Sequence, residues 1–152
     1  MGTKNCHVWI LTIFATVFIN SADPCTYGKA LEQRSPETVR IASFNIQVFG
    51  TSKMAKAHVV DTLAKVIRNF DVVAIQEVRA KSNDVIPSFV KHVNADGSSY
   101  QYVIGPRLGR TVSKEQYTFL YDTRRIEVDT TSVGTMHDPG DRLQRPPFFV
   151  RF

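Results

Sequence analysis

The chain has 152 residues, 43% of them hydrophobic, enough for one domain with a buried core. Its 19 Lys and Arg against 14 Asp and Glu give a formal net charge of +5, which favours polyanionic partners without selecting one. The 2 cysteines exclude a disulfide-stapled scaffold, and there is no Cys/His metal cluster, no Asn-x-Ser/Thr acceptor and no internal repeat.

The N-terminus reads as a secretory signal over residues 1–22. Lys4 supplies positive charge, residues 8–19 are apolar apart from Thr12 and Thr16, and Asn20, Ser21 and Ala22 supply small and polar residues for cleavage near Ala22. The apolar run is shorter than the roughly 20 residues that span a bilayer. An uncleaved anchor is the alternative. Removing this segment takes away Lys4 and no acid, leaving 18 basic and 14 acidic side chains and a charge of +4 on the mature domain. It also removes Cys6, so Cys25 becomes a lone thiol, free or paired with another molecule. Residues 23–38 hold Pro24, Gly28 and Pro36 without apolar periodicity and read as a loose arm.

A first strand is predicted over 39–46, apolar on both faces as in a sheet covered on both sides. Gly50 to Ser52 break it, and Ser52 can cap a following helix. Val60, Leu63, Ala64 and Ile67 keep the helical i, i+3, i+4, i+7 spacing and predict a helix over 53–69. A second strand follows at 71–77, making a βαβ unit whose strands lie parallel and adjacent. Val85, Phe89, Val90 and Val93 predict a helix over 84–94. Four β runs then follow at 100–104, 116–121, 126–133 and 148–152. They are expected as antiparallel additions to the same sheet. The fold class is thus α/β in a mixed α+β sense, a mixed sheet with helices on one face. The last run reaches Phe152 itself, which leads us to expect a fragment of a larger domain.

Asn45 and Glu77 end the two parallel strands, and open α/β sheets bind ligands at that rim. With adjacent strands about 4.8 Å apart, both side chains can reach one ion or phosphate. Glu77 offers a hard anionic oxygen suited to Mg²⁺, and Asn45 an amide for a phosphoryl oxygen or a water. Each alone reads as a strand-end surface residue; the pair reads equally well as a site. Arg79 either steadies the carboxylate and meets phosphate or is simply solvated. The loop 105–114 carries Arg107, Arg110 and Lys114 with 2 glycines, a composition that fits a phosphate backbone or an exposed basic turn. Glu115 is a second acid for the site or merely the neighbour of Lys114. His58 and His92 fall on helices and His137 in a Pro/Gly loop, so no histidine is placed as a general base.

The peptides Ile41-Ala42-Ser43-Phe44-Asn45-Ile46 and Ile75-Gln76-Glu77-Val78-Arg79, with Leu108-Gly109-Arg110 and Lys114-Glu115-Gln116-Tyr117-Thr118-Phe119-Leu120-Tyr121, resemble the deoxyribonuclease I family of the endonuclease/exonuclease/phosphatase superfamily. The resemblance covers 39–152 and implies the first half of a four-layer α/β sandwich, with its second sheet missing. It implies a secreted endonuclease that cuts DNA with Mg²⁺ and Ca²⁺ and has no stable membrane association once its signal is cleaved. Carried over by resemblance, Glu77 is the metal ligand, Asn45 binds the metal-site water or scissile phosphate, and Glu115 orients a catalytic histidine. Arg79, Arg110 and Arg145 become DNA contacts. Ser113 stands where relatives often carry an aromatic residue, Gln47 where many have Arg, and Pro146 replaces the Glu of an Arg-Glu-Pro motif. The family's catalytic histidines and its later Asp and Asn ligands would lie beyond Phe152, so this chain by itself is expected to be inactive. The alternatives are a non-catalytic secreted half-domain that binds DNA or protein, or a superfamily phosphoesterase acting on a phosphorylated lipid or inositol.

Overall fold

The computed structural model describes residues 9–11 and 36–152. The expected leader and arm, with Cys25 and the cleavage position, lie outside the described residues except for the arm's last residues, 36–38, and strand β1 (Trp9–Leu11), which pairs antiparallel with the last strand. The remaining elements are β2 (Ile41–Phe49), α1 (Thr51–Met54), α2 (Ala57–Ile67), β3 (Val72–Val78), α3 (Val85–Val93), β4 (Tyr100–Ile104), β5 (Gln116–Asp122), β6 (Asp129–Thr135) and β7 (Phe148–Arg151). Among the described residues no helix is long and apolar enough to cross a membrane.

One sheet has the order β2-β3-β5-β4. β2 and β3 are parallel, with Ile41 opposite Val72 and Asn45 opposite Gln76, and the other pairs are antiparallel. Strand alternation divides its side chains between two cores. Val73, Ile75 and Leu120 join Phe49, Val60, Ile67, Phe89 and Val93 beneath the helices. Val72, Ala74 and Phe119 face the other way and meet Phe148 and Val150.

That second core corrects two expectations. The runs near 126–133 and 148–152 do not extend the first sheet; β6 and β7 build a separate sheet, ordered β1-β7-β6. The face of β3 and β5 opposite the helices is apolar, and burying it is worth more than lengthening an edge. Phe148 and Val150 alternate inward on β7, and the Phe148 ring stacks on Phe119 at 5.7 Å between centroids. Gly105 makes this approach possible, since a Cβ there would stand 2.9 Å from the Phe148 ring. The second sheet of the sandwich is therefore begun within this chain, giving helices, sheet and sheet in successive layers.

The long helix expected over 53–69 is two helices. Lys56 has φ −93° and ψ 89°, outside the helical region, and α2 restarts from its carbonyl, which accepts from the amides of Val59 and Val60. Ser52 does not cap. Gly50 holds the N-cap position in extended conformation, and its carbonyl accepts from the amides of Lys53 and Met54. This short α1 brings Lys53 back beneath the end of β2.

Candidate active site

Both parallel strands lose their regular ladder at the same level. Three residues of β2, Ile46 to Val48, stand against Glu77 alone, and Gln76 and Glu77 of β3 stand against Tyr117 alone on β5. Bulges of this kind re-aim side chains at the end of a pairing. Here they coincide with left-handed backbone: φ is 52° at Gln47, 55° at Val48 and 63° at Glu77. The conformation costs about 1–2 kcal/mol for each residue other than glycine, and Val48 is β-branched, the least tolerant type. Three such residues in contact make a strained rim that its surroundings must hold in place.

The holding groups are specific. Asn45 Nδ2 donates to Glu77 Oε1 at 2.9 Å, and the Val48 amide donates to Glu77 Oε2 at 3.0 Å. Asn45 Oδ1 accepts from the Gln47 amide at 2.9 Å. Each carboxylate oxygen of Glu77 thus takes one hydrogen bond and keeps a further lone-pair position open. The Glu77 carboxyl is held below its ordinary pKa of 4.5, first by the Asn45 hydrogen bond; burial opposes this, and the Val48 amide and the nearby charges of Arg79 and Arg145 add to the lowering. It is ionised at neutral pH.

Beside it lies a second acid. Glu115 is buried just before β5, tied to Leu108 by reciprocal backbone hydrogen bonds of 2.9 and 2.7 Å. Its Oε1 accepts from Arg79 Nε at 2.9 Å and pairs with Arg79 at 2.7 Å and Arg145 at 3.1 Å. Arg79 therefore steadies Glu115 directly and Glu77 only through its field. Five of the six candidate residues, Asn45, Glu77, Arg79, Glu115 and Arg145, share this rim. Arg110 does not: it lies exposed on the loop before β5, donates to the Asp141 carbonyl and pairs with the Asp141 carboxylate at 3.4 Å. Asp141 is itself left-handed, with φ 43°.

The loop's other cation has a structural role. Arg107 donates to the carbonyls of Arg79 and Ala80, past the end of β3, and to that of Lys114 at 3.2 Å, fastening the loop to the rim. Sequence composition groups Arg107 with phosphate-facing cations, and nothing in its spacing separates the two roles. Sequence reasoning also misses Lys53, which reads as one polar position of a long helix. His58 and His92 lie on α2 and α3, where His92 Nε2 meets Asp61 at 2.7 Å, away from the rim.

Among the described residues no three His, Cys, Asp or Glu side chains converge. The rim offers one ionised carboxylate with open lone pairs, and Mg²⁺ is commonly held by one or two carboxylates with waters completing its shell. The donor set fits that ion. Asn45, in contrast, presents its NH₂ to Glu77 and commits its oxygen to the Gln47 amide.

Comparison with known proteins agrees with this architecture. The Endonuclease/Exonuclease/phosphatase family matches residues 42–151, a range that includes all six candidate residues. Deoxyribonuclease gamma of Homo sapiens is 35% identical over 127 residues, covering 80% of this chain and 42% of that protein. Deoxyribonuclease-1 of Bos taurus is 34% identical over 119 residues, covering 76% and 42% respectively. Deoxyribonuclease-1-like 2 of Homo sapiens is 33% identical over 124 residues, covering 81% and 41%. The chain spans about two fifths of the length of these relatives. Matched by the family's model over residues 42–151 and 33–35% identical to these deoxyribonucleases over most of its length, the chain belongs to the endonuclease/exonuclease/phosphatase family.

Proposed function

We propose that this chain supplies the Glu77 edge of a secreted deoxyribonuclease that hydrolyses DNA phosphodiester bonds with Mg²⁺, aided by Ca²⁺. The observation that carries this reading is the Asn45–Glu77–Val48 arrangement, an ionised carboxylate braced on one side and open on the other, with Arg79 and Arg145 in its field. The similarity to named deoxyribonucleases supports DNA as substrate, and the signal-like residues 1–22 support secretion.

Glu77 would hold Mg²⁺ through its open lone pairs, with Asn45 fixing the carboxylate's orientation. Bound there, the metal would offset negative charge developing on the phosphoryl group. Arg79 and Arg145 add positive potential that draws the DNA backbone to the rim, and Arg110 would join them on the loop by exchanging its Asp141 partner for a phosphate. Glu115 keeps the two guanidinium groups in register. Its further role, as partner of a catalytic histidine, follows from the family resemblance and needs residues beyond those of this chain.

Nicking of supercoiled plasmid by the full-length protein, with Mg²⁺ and Ca²⁺ or with a chelator, tests the reading. Wild type is expected to nick in a chelator-sensitive way and Glu77→Ala to lose nearly all activity, while residues 23–152 alone are expected to be inactive. Full activity in Glu77→Ala would place the metal elsewhere and refute the assignment.

A further inference from the structure

We propose that Lys53 is a positioning residue for Glu77, setting the two peptide groups whose amides orient the carboxylate and its Asn45 brace. The inference rests on the reading of Glu77 as a metal ligand and adds a residue that acts on it from behind.

The geometry is specific. Lys53 Nζ donates to the Ile46 carbonyl at 2.9 Å and to the Gln47 carbonyl. The peptide that carries the Ile46 carbonyl also carries the Gln47 amide, which donates to Asn45 Oδ1. The peptide that carries the Gln47 carbonyl also carries the Val48 amide, which donates to Glu77 Oε2. No peptide bond in the described residues is cis, so in each of these groups the C=O and N–H point in opposite directions. One ammonium therefore grips the rear of both peptides while Asn45 and Glu77 are gripped by their fronts.

These peptides stand on either side of left-handed Gln47, and the second leads into left-handed Val48; both residues relax toward ordinary backbone once released. A charged donor on a carbonyl also polarises the peptide and strengthens the hydrogen bond that its N–H gives. The short helix α1 places Lys53 where this grip needs it. It breaks at Ala55–Lys56, and its Gly50 cap turns the chain so that a half-buried Lys53 lies under β2. Lys53 makes no hydrogen bond or ion pair with Glu77 itself, so its influence runs through the backbone.

The test titrates Mn²⁺, as a probe for Mg²⁺, into the full-length protein and follows paramagnetic broadening of the Val78 and Arg79 amide resonances. Hydrogen exchange at the Gln47 and Val48 amides is measured alongside. Glu77→Gln is expected to abolish the broadening. Lys53→Met is expected to weaken Mn²⁺ binding about tenfold, the range seen when a group that orients a metal ligand is removed, and to speed exchange at Gln47 and Val48. Lys53→Arg, which keeps a cation and several donors, is expected to restore most of both and guards against a Lys53→Met variant that fails to fold. Lys56→Met removes the same charge from an exposed neighbour and is expected to change neither. Wild-type affinity and exchange in Lys53→Met, with Glu77→Gln still null, would overturn the role of Lys53 and leave Glu77 as ligand. An equal loss in Lys56→Met would reduce the effect to net charge and overturn it too. Broadening that survives Glu77→Gln would overturn both assignments together.

Discussion

Replacing Asn45 by Ala removes two hydrogen bonds at once, the donation to Glu77 at 2.9 Å and the acceptance from the Gln47 amide at 2.9 Å. A hydrogen bond to a charged group contributes about 1.5–3 kcal/mol when shielded and a neutral one about 1 kcal/mol. Asn45 is exposed and Glu77 only partly buried, so water takes over much of each bond. The expected loss of stability is about 1 kcal/mol at neutral pH, divided between the charged and the neutral bond. Its pH dependence identifies the charged share. The folded-state pKa of Glu77 is depressed below 4.5, foremost by Asn45. A depressed carboxyl contributes stability that is full above the unfolded pKa and lost as pH falls through the lower folded value. The gap between wild type and Asn45→Ala should therefore be widest at neutral pH and narrow on acidification through the Glu77 titration, leaving the share due to the Gln47 amide. Urea denaturation across that range measures the gap, and a carbon NMR titration of the Glu77 carboxyl should show its pKa rising toward 4.5 in the variant. A gap independent of pH, or a Glu77 titration unmoved by the substitution, would refute the account of how this carboxylate is held ionised.

Val48→Gly should stabilise the chain by about 1 kcal/mol in thermal unfolding, because glycine accepts the left-handed conformation without the steric cost a β-branched residue bears. Val48 is 49% exposed, so little apolar burial is lost with it; a destabilised variant would show that the strain is not borne there. Glu115→Ala leaves Arg79 and Arg145 facing one another without their acid and should cost about 2 kcal/mol in urea denaturation, below the 3–5 kcal/mol of a fully buried pair, since both guanidinium groups keep some exposure. Phe119→Ala opens a cavity where the two sheets meet and should cost about 3–5 kcal/mol, with faster hydrogen exchange at Phe149 and Val150 than at the helix-side strands. Equal acceleration on both sides would mean that the second sheet is not held chiefly by that contact.

The apolar runs ending at Asn45 and Glu77 were legible because their backbone pattern is local: two strands joined by a helical crossover, the first at the sheet's exposed edge and the second buried, bring the two residues to one rim. The strands at 100–104 and 116–121 were legible for the same reason, their β-branched and aromatic residues alternating between two faces. The division of the later strands between two sheets was not, because alternation says that a strand has an apolar face and not which surface will cover it; Phe148 and Val150 found the back of β3 and β5 only in three dimensions. The family peptides also named the rim's residues without giving their partners. Arg79 holds Glu115 rather than Glu77, Arg107 binds backbone instead of facing outward, and Arg110 joins Asp141. Such pairings form between segments about 27 to 36 residues apart in the chain, where no periodicity reaches. The left-handed turn at Gln47 and Val48 was invisible for a plainer reason. Sequence marks positive φ by glycine, and here neither residue is glycine; the conformation exists because Lys53, Asn45 and Glu77 hold it from three sides, and only the folded chain brings those three together.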